Sequence, residues 1–286
     1  MLHWDASRAL AYKTDQVVEN IHFVLNGAGA ATPRQVGWKA MAKTGSDIAA
    51  AGCWPVAATV AAHLRPDLDD EWAMELYDGL VACCRRFNFA LAGGDLATGG
   101  AAVHVAISML GEGPKDRQEG GPWLRSGAKP GDALLVTGSL GGSRGGKHLD
   151  FTPRLEEARE LRQKAGANVH AAIDISDGLA RDVGHLCTES ACGVEIDRTA
   201  LPLSDSLKDV PPDEALQRVL GDGEDFELLL AVEPACAEQL LASWHHATPL
   251  TRIGTILPEA DRRYIRGTEG KVEPLPDIGY EHETAE

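Results

Sequence analysis

Apolar residues along this chain follow two alternating spacings, which predict helices alternating with strands. Intervals of three and four residues are typical of an amphipathic helix, and short apolar runs are typical of buried strands. The clearest helical segment spans residues 69–88, where Trp72, Leu76, Leu80 and Cys83 would share one face. The pattern therefore predicts a mixed α+β protein.

The first half of the chain is predicted to contain short strands and two longer helices. Thr14-Asp15 would form a turn between two strands, and Gly93-Gly94-Asp95 would form a turn between two others. Pro33 should open a helix, with Thr32 as its N-cap. The predicted strands span residues 9–12, 17–23, 56–64, 89–93 and 103–111, and the helices span residues 33–47 and 69–88.

The second half repeats this alternation after a break. Residues 113–130 are rich in glycine, proline and charge, which is typical of a linker. The strands predicted beyond it span residues 133–137, 171–173, 194–196, 226–232 and 251–256, and the helices span residues 154–165, 178–189, 213–219 and 234–246. We therefore predict two α+β domains of similar size, residues 1–125 and residues 126–286.

The composition of the chain indicates which kinds of partner it can bind and in which cell compartment it is found. The formal net charge of -16 over 286 residues argues against binding to nucleic acid or an anionic membrane, because such binding needs clustered lysine and arginine. The six cysteines show no zinc-type spacing and are expected to be reduced thiols. The most apolar stretch, residues 48–64, is interrupted by Gly52 and Pro55 and is too short to span a membrane. Since the first residues show no signal-peptide pattern, a cytoplasmic location is predicted.

Short acidic motifs stand at the ends of apolar runs, each with an acid beside a small hydroxyl residue or glycine. They are Lys13-Thr14-Asp15, Gly45-Ser46-Asp47, Gly93-Gly94-Asp95, residues 174–178, residues 221–225 and, more weakly, Glu195-Ile196-Asp197. Carboxylate oxygens delivered from several strand or helix ends suit hard cations such as Mg²⁺, which proteins hold together with substrate phosphates. The motifs therefore predict a site for metal ions and a phosphate group.

The segment Asp174-Ile175-Ser176-Asp177-Gly178 carries the strongest of these signals. An acid at the end of an apolar strand is costly to desolvate without a cation or hydrogen-bond donors, so Asp174 indicates a ligand site. Ser176 or Asp177 could instead cap the helix that follows.

Other motifs have a structural explanation beside the functional one. Gly93-Gly94-Asp95 is also a common hairpin turn, and Glu227 could lie at the solvated start of a strand. His22 could be an ordinary core histidine, whereas Arg125 is a candidate clamp for a phosphate group. The sequence contains no G-x-x-x-x-G-K-[ST] loop and no Ser/His/Asp nucleophile arrangement.

Taken in order, these segments resemble the thiamine-monophosphate kinase family of the aminoimidazole-ribonucleotide-synthetase-like superfamily. The similarity runs from about Leu10 to Tyr280. Its most specific segments are Lys13-Thr14-Asp15 with residues 19–23, residues 46–52, Gly93-Gly94-Asp95, residues 125–132, residues 174–179, residues 182–185, residues 201–204 and residues 223–228.

The resemblance implies ATP-dependent transfer of a phosphoryl group to thiamine monophosphate, giving thiamine diphosphate. The implied ligands of several Mg²⁺ ions are Thr14, Asp15, Asp47, Asp95, Asp174 and Asp177. The implied contacts with the co-substrate ATP are Gly94, Asp95, Arg125 and Ser176, and those with thiamine monophosphate are His22, Glu224 and Tyr280. No residue is expected to act as a covalent catalyst, because phosphoryl transfer needs positioning and charge neutralisation.

The resemblance also implies a fold and an assembly. The N-terminal domain would bind ATP and metal, and its mixed sheet would form a barrel with the same sheet of a second chain in a homodimer. The C-terminal domain would be a sheet covered by helices. The implied sites lie in the clefts of this assembly.

The chain departs from the family pattern at its beginning and in several loops. Family members carry a Gly-Asp-Asp motif that helps bind the metals, and residues 1–4 would directly follow it, so Met1 is expected to be an internal residue of a longer protein. Leu96-Ala97, Gly141-Gly142-Ser143 and Thr44-Gly45 also replace family residues. Two alternatives therefore stay open: an impaired homologue that binds nucleotide, or a relative that activates another small molecule with ATP.

Overall fold

The first half of the chain forms a four-stranded mixed sheet. The computed structural model describes residues 5, 7–116 and 121–281, and in it the strand order of this sheet is β1-β4-β2-β3. The strands are β1 (Arg8–Val18), β2 (Trp54–Leu64), β3 (Ala90–Thr98) and β4 (His104–Pro114). The β2–β3 pair is parallel and the other pairs are antiparallel. Strands β1 and β3 are therefore the two edges of an open sheet.

Two long helices, α1 (Pro33–Ala50) and α2 (Asp70–Phe87), cover this sheet. Thr32 caps α1 as predicted, because its side chain accepts a backbone N–H of the first turn. A Cβ on Gly37 would lie 2.1 Å from the carbonyl oxygen of Leu76, and a Cβ on Gly79 would lie 2.0 Å from that of Arg34. Glycine at these positions thus allows the two helix backbones to pack closely.

The two turns predicted in this half are wrong. Strand β1 runs from Arg8 to Val18 without interruption, and Thr14-Asp15 stays paired with β4. Strand β3 likewise continues through Gly93-Gly94-Asp95 to Thr98. In both cases, pairing with a neighbouring strand satisfies backbone groups of residues that favour turns in isolation.

The second half forms a seven-stranded sheet in the order β11-β10-β7-β9-β5-β8-β6. Its strands are β5 (Ala133–Thr137), β6 (Val169–Asp174), β7 (Gly193–Asp197), β8 (Leu228–Val232), β9 (Leu250–Leu257), β10 (Arg263–Arg266) and β11 (Val272–Pro274). Its helices are α3 (Lys147–Asp150), α4 (Leu155–Ala165), α5 (Leu179–Ser190), α6 (Pro212–Gly221) and α7 (Pro234–Ser243). The sequence pattern does not predict β10, β11 or α3, because each has four residues or fewer.

Helix α1 packs against the second half as well as the first. Trp38 donates its indole N–H to the carbonyl oxygen of Phe151 at 2.7 Å. Met41 of α1 belongs to the same buried apolar cluster as Leu155 and Leu228. The predicted mixed α+β architecture with two sheets is confirmed, and α1 is the element that brings the sheets together. The domain boundary between residues 125 and 126 falls between β4 and β5 and stays a prediction.

Two expectations, one about the start of the chain and one about its cellular location, stay predictions. Within the described residues, no helix combines the length and the apolar character that crossing a membrane requires. The cytoplasmic location remains a prediction. Residues 1–4, which concern the missing Gly-Asp-Asp motif, lie outside the described part of the chain.

Candidate active site

A cavity of about 570 Å³ lies between α1 and the loops at one end of the second sheet. Both halves of the chain contribute side chains to its wall. Nine residues that the resemblance implied line it: Asp15, His22, Asp47, Arg125, Asp174, Ser176, Asp177, Glu224 and Tyr280. The fold therefore brings together motifs that lie far apart in sequence.

Three carboxylates from three different elements form the acidic end of this cavity. Asp15 lies on β1, Asp47 in the last turn of α1 and Asp174 at the end of β6. Ser46 donates its hydroxyl to Asp174 Oδ2 at 2.7 Å, and Lys13 Nζ lies 2.9 Å from Asp47 Oδ1. Asp15 Oδ2 is buried and has no hydrogen bond from the described residues, although Lys13 Nζ lies 3.4 Å away. The acids thus have fewer donors than acceptor positions.

Burial opposes ionisation of these acids. The pKa of Asp47 is raised to about 8, mainly by burial and to a smaller extent by the negative charge of Asp174. Burial also raises the pKa of Asp174, and the hydrogen bond from Ser46 offsets only part of that effect. A divalent cation would favour the ionised forms, and a donor set made only of oxygens suits Mg²⁺. The buried Asp15 Oδ2, which forms an ion pair with Lys13 but no hydrogen bond within the described part of the chain, fits that use.

The loop after β6 is held by Asp182, which belongs to one of the segments that carry the family resemblance but had no predicted role. Asp182 Oδ2 accepts the backbone N–H groups of Ser176, Asp177 and Gly178 at 2.9, 2.9 and 3.2 Å. The prediction that Ser176 or Asp177 caps α5 is wrong, because Gly178 occupies the N-cap position and no side chain caps the helix there. The side chains of Ser176 and Asp177 therefore stay available to the cavity.

One further group of ligand-type side chains adjoins this loop. Asp177, Asp182 and His185 each place one ligand atom within 4.8 Å of the others. Because Asp182 holds three backbone N–H groups, its main role is to shape the loop, whereas Asp177 also lines the cavity. Of this group, Asp177 is the residue that lines the cavity together with Asp15, Asp47 and Asp174.

A buried lysine organises the opposite end of the cavity. Lys39 of α1 is fully buried, and its Nζ lies 2.5 Å from the carbonyl oxygen of His22, 2.6 Å from His148 Nδ1 and 2.9 Å from Glu224 Oε2. The carbonyl oxygen and the carboxylate each accept one N–H of the ammonium, whereas His148 Nδ1 accepts the third or donates to Glu224 according to its tautomer. Lys39 therefore fixes the relative positions of three segments, two of which belong to the second half of the chain.

Glu224 is ionised and incompletely paired at this end. Burial opposes its ionisation, but the hydrogen bond from His148 and the charge of Lys39 lower the pKa of Glu224 to about 2. Its Oε1 is buried without a hydrogen-bond partner among the described residues. Burial, aided by the charge of Lys43, lowers the pKa of His22 to about 4, so His22 is neutral near pH 7. This end therefore offers one buried negative oxygen next to a neutral imidazole.

The sequence contained a signal for the cavity lysines. Val36, Lys39, Ala40 and Lys43 have the spacing of one buried helix face, so two lysines occupy positions where apolar residues are expected. Lys43 also lines the cavity, together with Arg144. A buried lysine needs nearby acceptors, and this requirement would have placed Lys39 beside an acid.

The implied site residues outside the cavity are Thr14, Gly94 and Asp95. The exposed Thr14 hydroxyl lies 2.9 Å from the hydroxyl of Ser108 on β4. Gly94 and Asp95 lie on β3, the edge of the sheet opposite to β1. Three strand spacings of about 4.8 Å separate these edges, so Asp95 lies roughly 14 Å from the strand that carries Asp15. The single chain does not bring these three residues to the cavity, and their roles stay predictions.

Glu227 has a different environment from the one proposed for it. The prediction that Glu227 could lie at the solvated start of a strand is wrong, because its side chain is fully buried. Its carboxylate accepts two bonds from Arg154 at 2.6 and 2.7 Å, one from Lys147 at 3.0 Å and one from Thr137 at 2.9 Å. Since its acceptor positions are all used, Glu227 belongs to the structural core rather than to the cavity.

Comparisons with known proteins show the family to which this chain belongs. Sequence profiles described as AIR synthase related protein, N-terminal domain and C-terminal domain, match residues 1–113 and 129–265. The thiamine-monophosphate kinase of Rhodopirellula baltica is 38% identical over 247 residues, which are 85% of this chain and 74% of that protein. The enzyme of the same name from Escherichia coli K12 is 33% identical over 306 residues, covering 99% of this chain and 89% of that protein.

A solved structure extends the similarity to three dimensions. AaThiL complexed with AMPPCP and TMP superposes with a TM-score of 0.81 at 26% identity, covering 98% of this chain and 89% of that chain. The two profiles together match most of the sequence, and the curated relatives exceed 30% identity over most of their length. This chain therefore belongs to the thiamine-monophosphate kinase family of AIR synthase related proteins.

Proposed function

We propose that the protein catalyses ATP- and Mg²⁺-dependent phosphorylation of thiamine monophosphate to thiamine diphosphate. The observation that carries this proposal is one cavity with two chemically different ends. One end holds the under-paired acids Asp15, Asp47 and Asp174, and the other holds the ionised Glu224. The family relationship supports both the reaction and the two substrates.

The acidic end is suited to metal-bound phosphates. Asp15, Asp47, Asp174 and Asp177 would hold Mg²⁺, and the ions would neutralise phosphate charge during transfer. Arg125, which also lines the cavity, would contact a phosphate oxygen, and Ser176 would offer its hydroxyl. These residues act by placing the two phosphate groups in line, so no covalent nucleophile is required.

The other end is suited to the organic part of the acceptor. Thiamine monophosphate carries a cationic thiazolium ring and an aminopyrimidine, so it has a positive charge and N–H donors to offer. Glu224 Oε1 is a buried acceptor that no described residue hydrogen-bonds, and neutral His22 also lines the cavity wall. Tyr280 lines the same cavity and is 43% exposed, so it stands at the rim, where it would cover the bound acceptor.

We further propose that Gly94, Asp95 and Thr14 complete the site only in a homodimer. The two edge strands β1 and β3 are open in the single chain, and two copies could pair them into a closed barrel. Asp95 of one copy would then approach the Asp15 edge of the other. Asp95 of one subunit would then bind metal and nucleotide at the site of the other subunit.

Mixing two inactive variants tests this shared site. Asp95→Asn and Asp174→Asn homodimers should each be inactive. Co-expression should restore activity to about one quarter of wild type, because half of the dimers would be mixed and one of the two sites in each mixed dimer would be intact. Full activity of Asp95→Asn, or an inactive mixture whose mixed dimers are verified by mass spectrometry, would contradict the shared site.

The function itself is tested by a product assay. Purified protein is incubated with ATP, Mg²⁺ and thiamine monophosphate, and thiamine diphosphate is measured by chromatography. We expect product that depends on both ATP and Mg²⁺. Absence of product from this chain and from an N-terminally extended chain would remove the kinase proposal, whereas product from the extended chain alone would show that the added residues are required.

A further inference from the structure

Two lysine side chains reach into the acidic end of the cavity, and they do so differently. Lys13 precedes Asp15 by two residues on β1, so both side chains lie on the same face of the strand. Lys13 Nζ lies 2.9 Å from Asp47 Oδ1 and 3.4 Å from Asp15 Oδ2. Lys43 Nζ lies 3.8 Å from Asp15 Oδ1 and 3.4 Å from the backbone oxygen of Gln16. Lys13 is therefore the lysine that bridges two carboxylates.

The position of Lys13 conflicts with a cation shared by the same two acids. Mg²⁺ bound to both carboxylates would approach their oxygens to about 2.1 Å, within the space that the Lys13 ammonium spans. Two positive charges at that separation also repel each other. Since the Lys13 side chain is 34% exposed, the ammonium can leave for solvent or for another acceptor.

We propose that Lys13 is an internal cation that competes with Mg²⁺ for the Asp15–Asp47 pair. Mg²⁺ occupies this pair fully when a phosphate group is present to accept the hydrogen bonds of the displaced Lys13 ammonium. The inference rests on the metal role of these acids in the proposed function. It adds that metal binding and phosphate binding are coupled through one lysine, and that each favours the other.

Metal titrations without nucleotide test the competition. Mn²⁺ binding, followed by electron paramagnetic resonance of the free ion, should be about tenfold tighter in Lys13→Met than in wild type, because a bridging charge has been removed. Lys43→Met is the matched control, since it removes the same charge from the same cavity without opening the Asp15–Asp47 pair. Its effect should be smaller than about threefold.

A second titration tests the coupling. Inorganic phosphate, which binds free Mn²⁺ weakly, should tighten Mn²⁺ binding in wild type and leave it nearly unchanged in Lys13→Met. Lys13→Gln should behave like Lys13→Met, and circular dichroism confirms that both variants are folded.

The outcomes separate the inference from the proposed function. Equal Mn²⁺ affinity in wild type and Lys13→Met, or equal effects of the Lys13 and Lys43 substitutions, would overturn the competition and leave the metal site in place. Lack of Mn²⁺ binding in every variant, with and without phosphate, would overturn the metal role of the acids and this inference with it.

Discussion

Asp174, at the end of β6, and Glu227, directly before the neighbouring strand β8, are both buried acids, but the chain surrounds them in opposite ways. Asp174 pairs across the sheet with Leu228, the residue next to Glu227. Glu227 accepts hydrogen bonds from Arg154, Lys147 and Thr137. Among the described residues, Asp174 accepts a side-chain hydrogen bond only from Ser46.

The difference shows that burial alone does not identify a ligand-binding acid. An acid whose acceptor positions are filled by protein donors contributes to the fold, and the loss of those donors leaves a buried charge. An acid that is equally buried but under-paired keeps capacity for a cation or a ligand donor. The comparison therefore predicts a role in stability for Glu227 and a role in activity for Asp174, and each prediction can be tested.

The largest expected effect comes from Asp174→Asn. The substitution removes one charged oxygen ligand, so turnover should fall by at least about 1,000-fold. The melting temperature should stay equal or rise, because a desolvated charge is removed from the core. Steady-state kinetics and thermal unfolding measure the two quantities. Near-normal turnover would refute the metal role of Asp174.

Arg154→Met should show the reverse behaviour. The substitution leaves the Glu227 carboxylate buried without its bidentate partner, and breaking a buried pair typically costs about 3–5 kcal/mol of unfolding free energy. Urea unfolding measures the loss, and turnover of the folded fraction should change little. The double variant Arg154→Met with Glu227→Gln should recover part of the stability, because no charge is then stranded. A loss below about 1 kcal/mol in the single variant would place Glu227 outside the core network.

An effect on stability that depends on pH is expected at Asp225, whose pairing is intermediate between that of Asp174 and that of Glu227. Burial raises the pKa of Asp225 to about 7 from a usual value of 3.8, although backbone N–H groups of Gly141 and Gly142 partly offset it. Between these two pH values, the folded state binds a proton that the unfolded state does not bind. Stability from this group is therefore greatest at low pH and falls by up to about 1.4 kcal/mol per pH unit as the pH rises through that window.

Asp225→Asn isolates this contribution, because asparagine does not titrate. Urea unfolding at several values between pH 4 and pH 8 should give a flatter dependence of unfolding free energy on pH in the variant. Parallel curves for the two proteins would show that Asp225 keeps an ordinary pKa.

Local signals in the sequence predicted the helices better than the strand ends. The predicted helix over residues 69–88 agrees with α2, because Asp69 and Asn88 cap its two ends. Strand β1 was divided in two because Thr14-Asp15 favours a turn locally, whereas its pairing with β4, about a hundred residues away, decides the structure.

Local sequence patterns also predict only part of the candidate site. The acids Asp15, Asp47 and Asp174 could be predicted to meet because each ends an apolar run. The role of Lys39 depends on Glu224, which lies 185 residues further along the chain, so no local pattern specifies that contact. Asp95 remains a prediction because its proposed partners belong to a second chain.

Helix α1 carries Lys39 at one end of the cavity and Asp47 at the other. Eight residues of α-helix separate them, which corresponds to a rise of about 12 Å. Because α1 is held by both sheets, this length is fixed, and in the proposed function it sets the distance between the anchored organic group and the reacting phosphates. Acceptors whose phosphate lies at another distance from the anchored ring would bind with that phosphate out of line, so we expect the length of the helix to contribute to substrate selection.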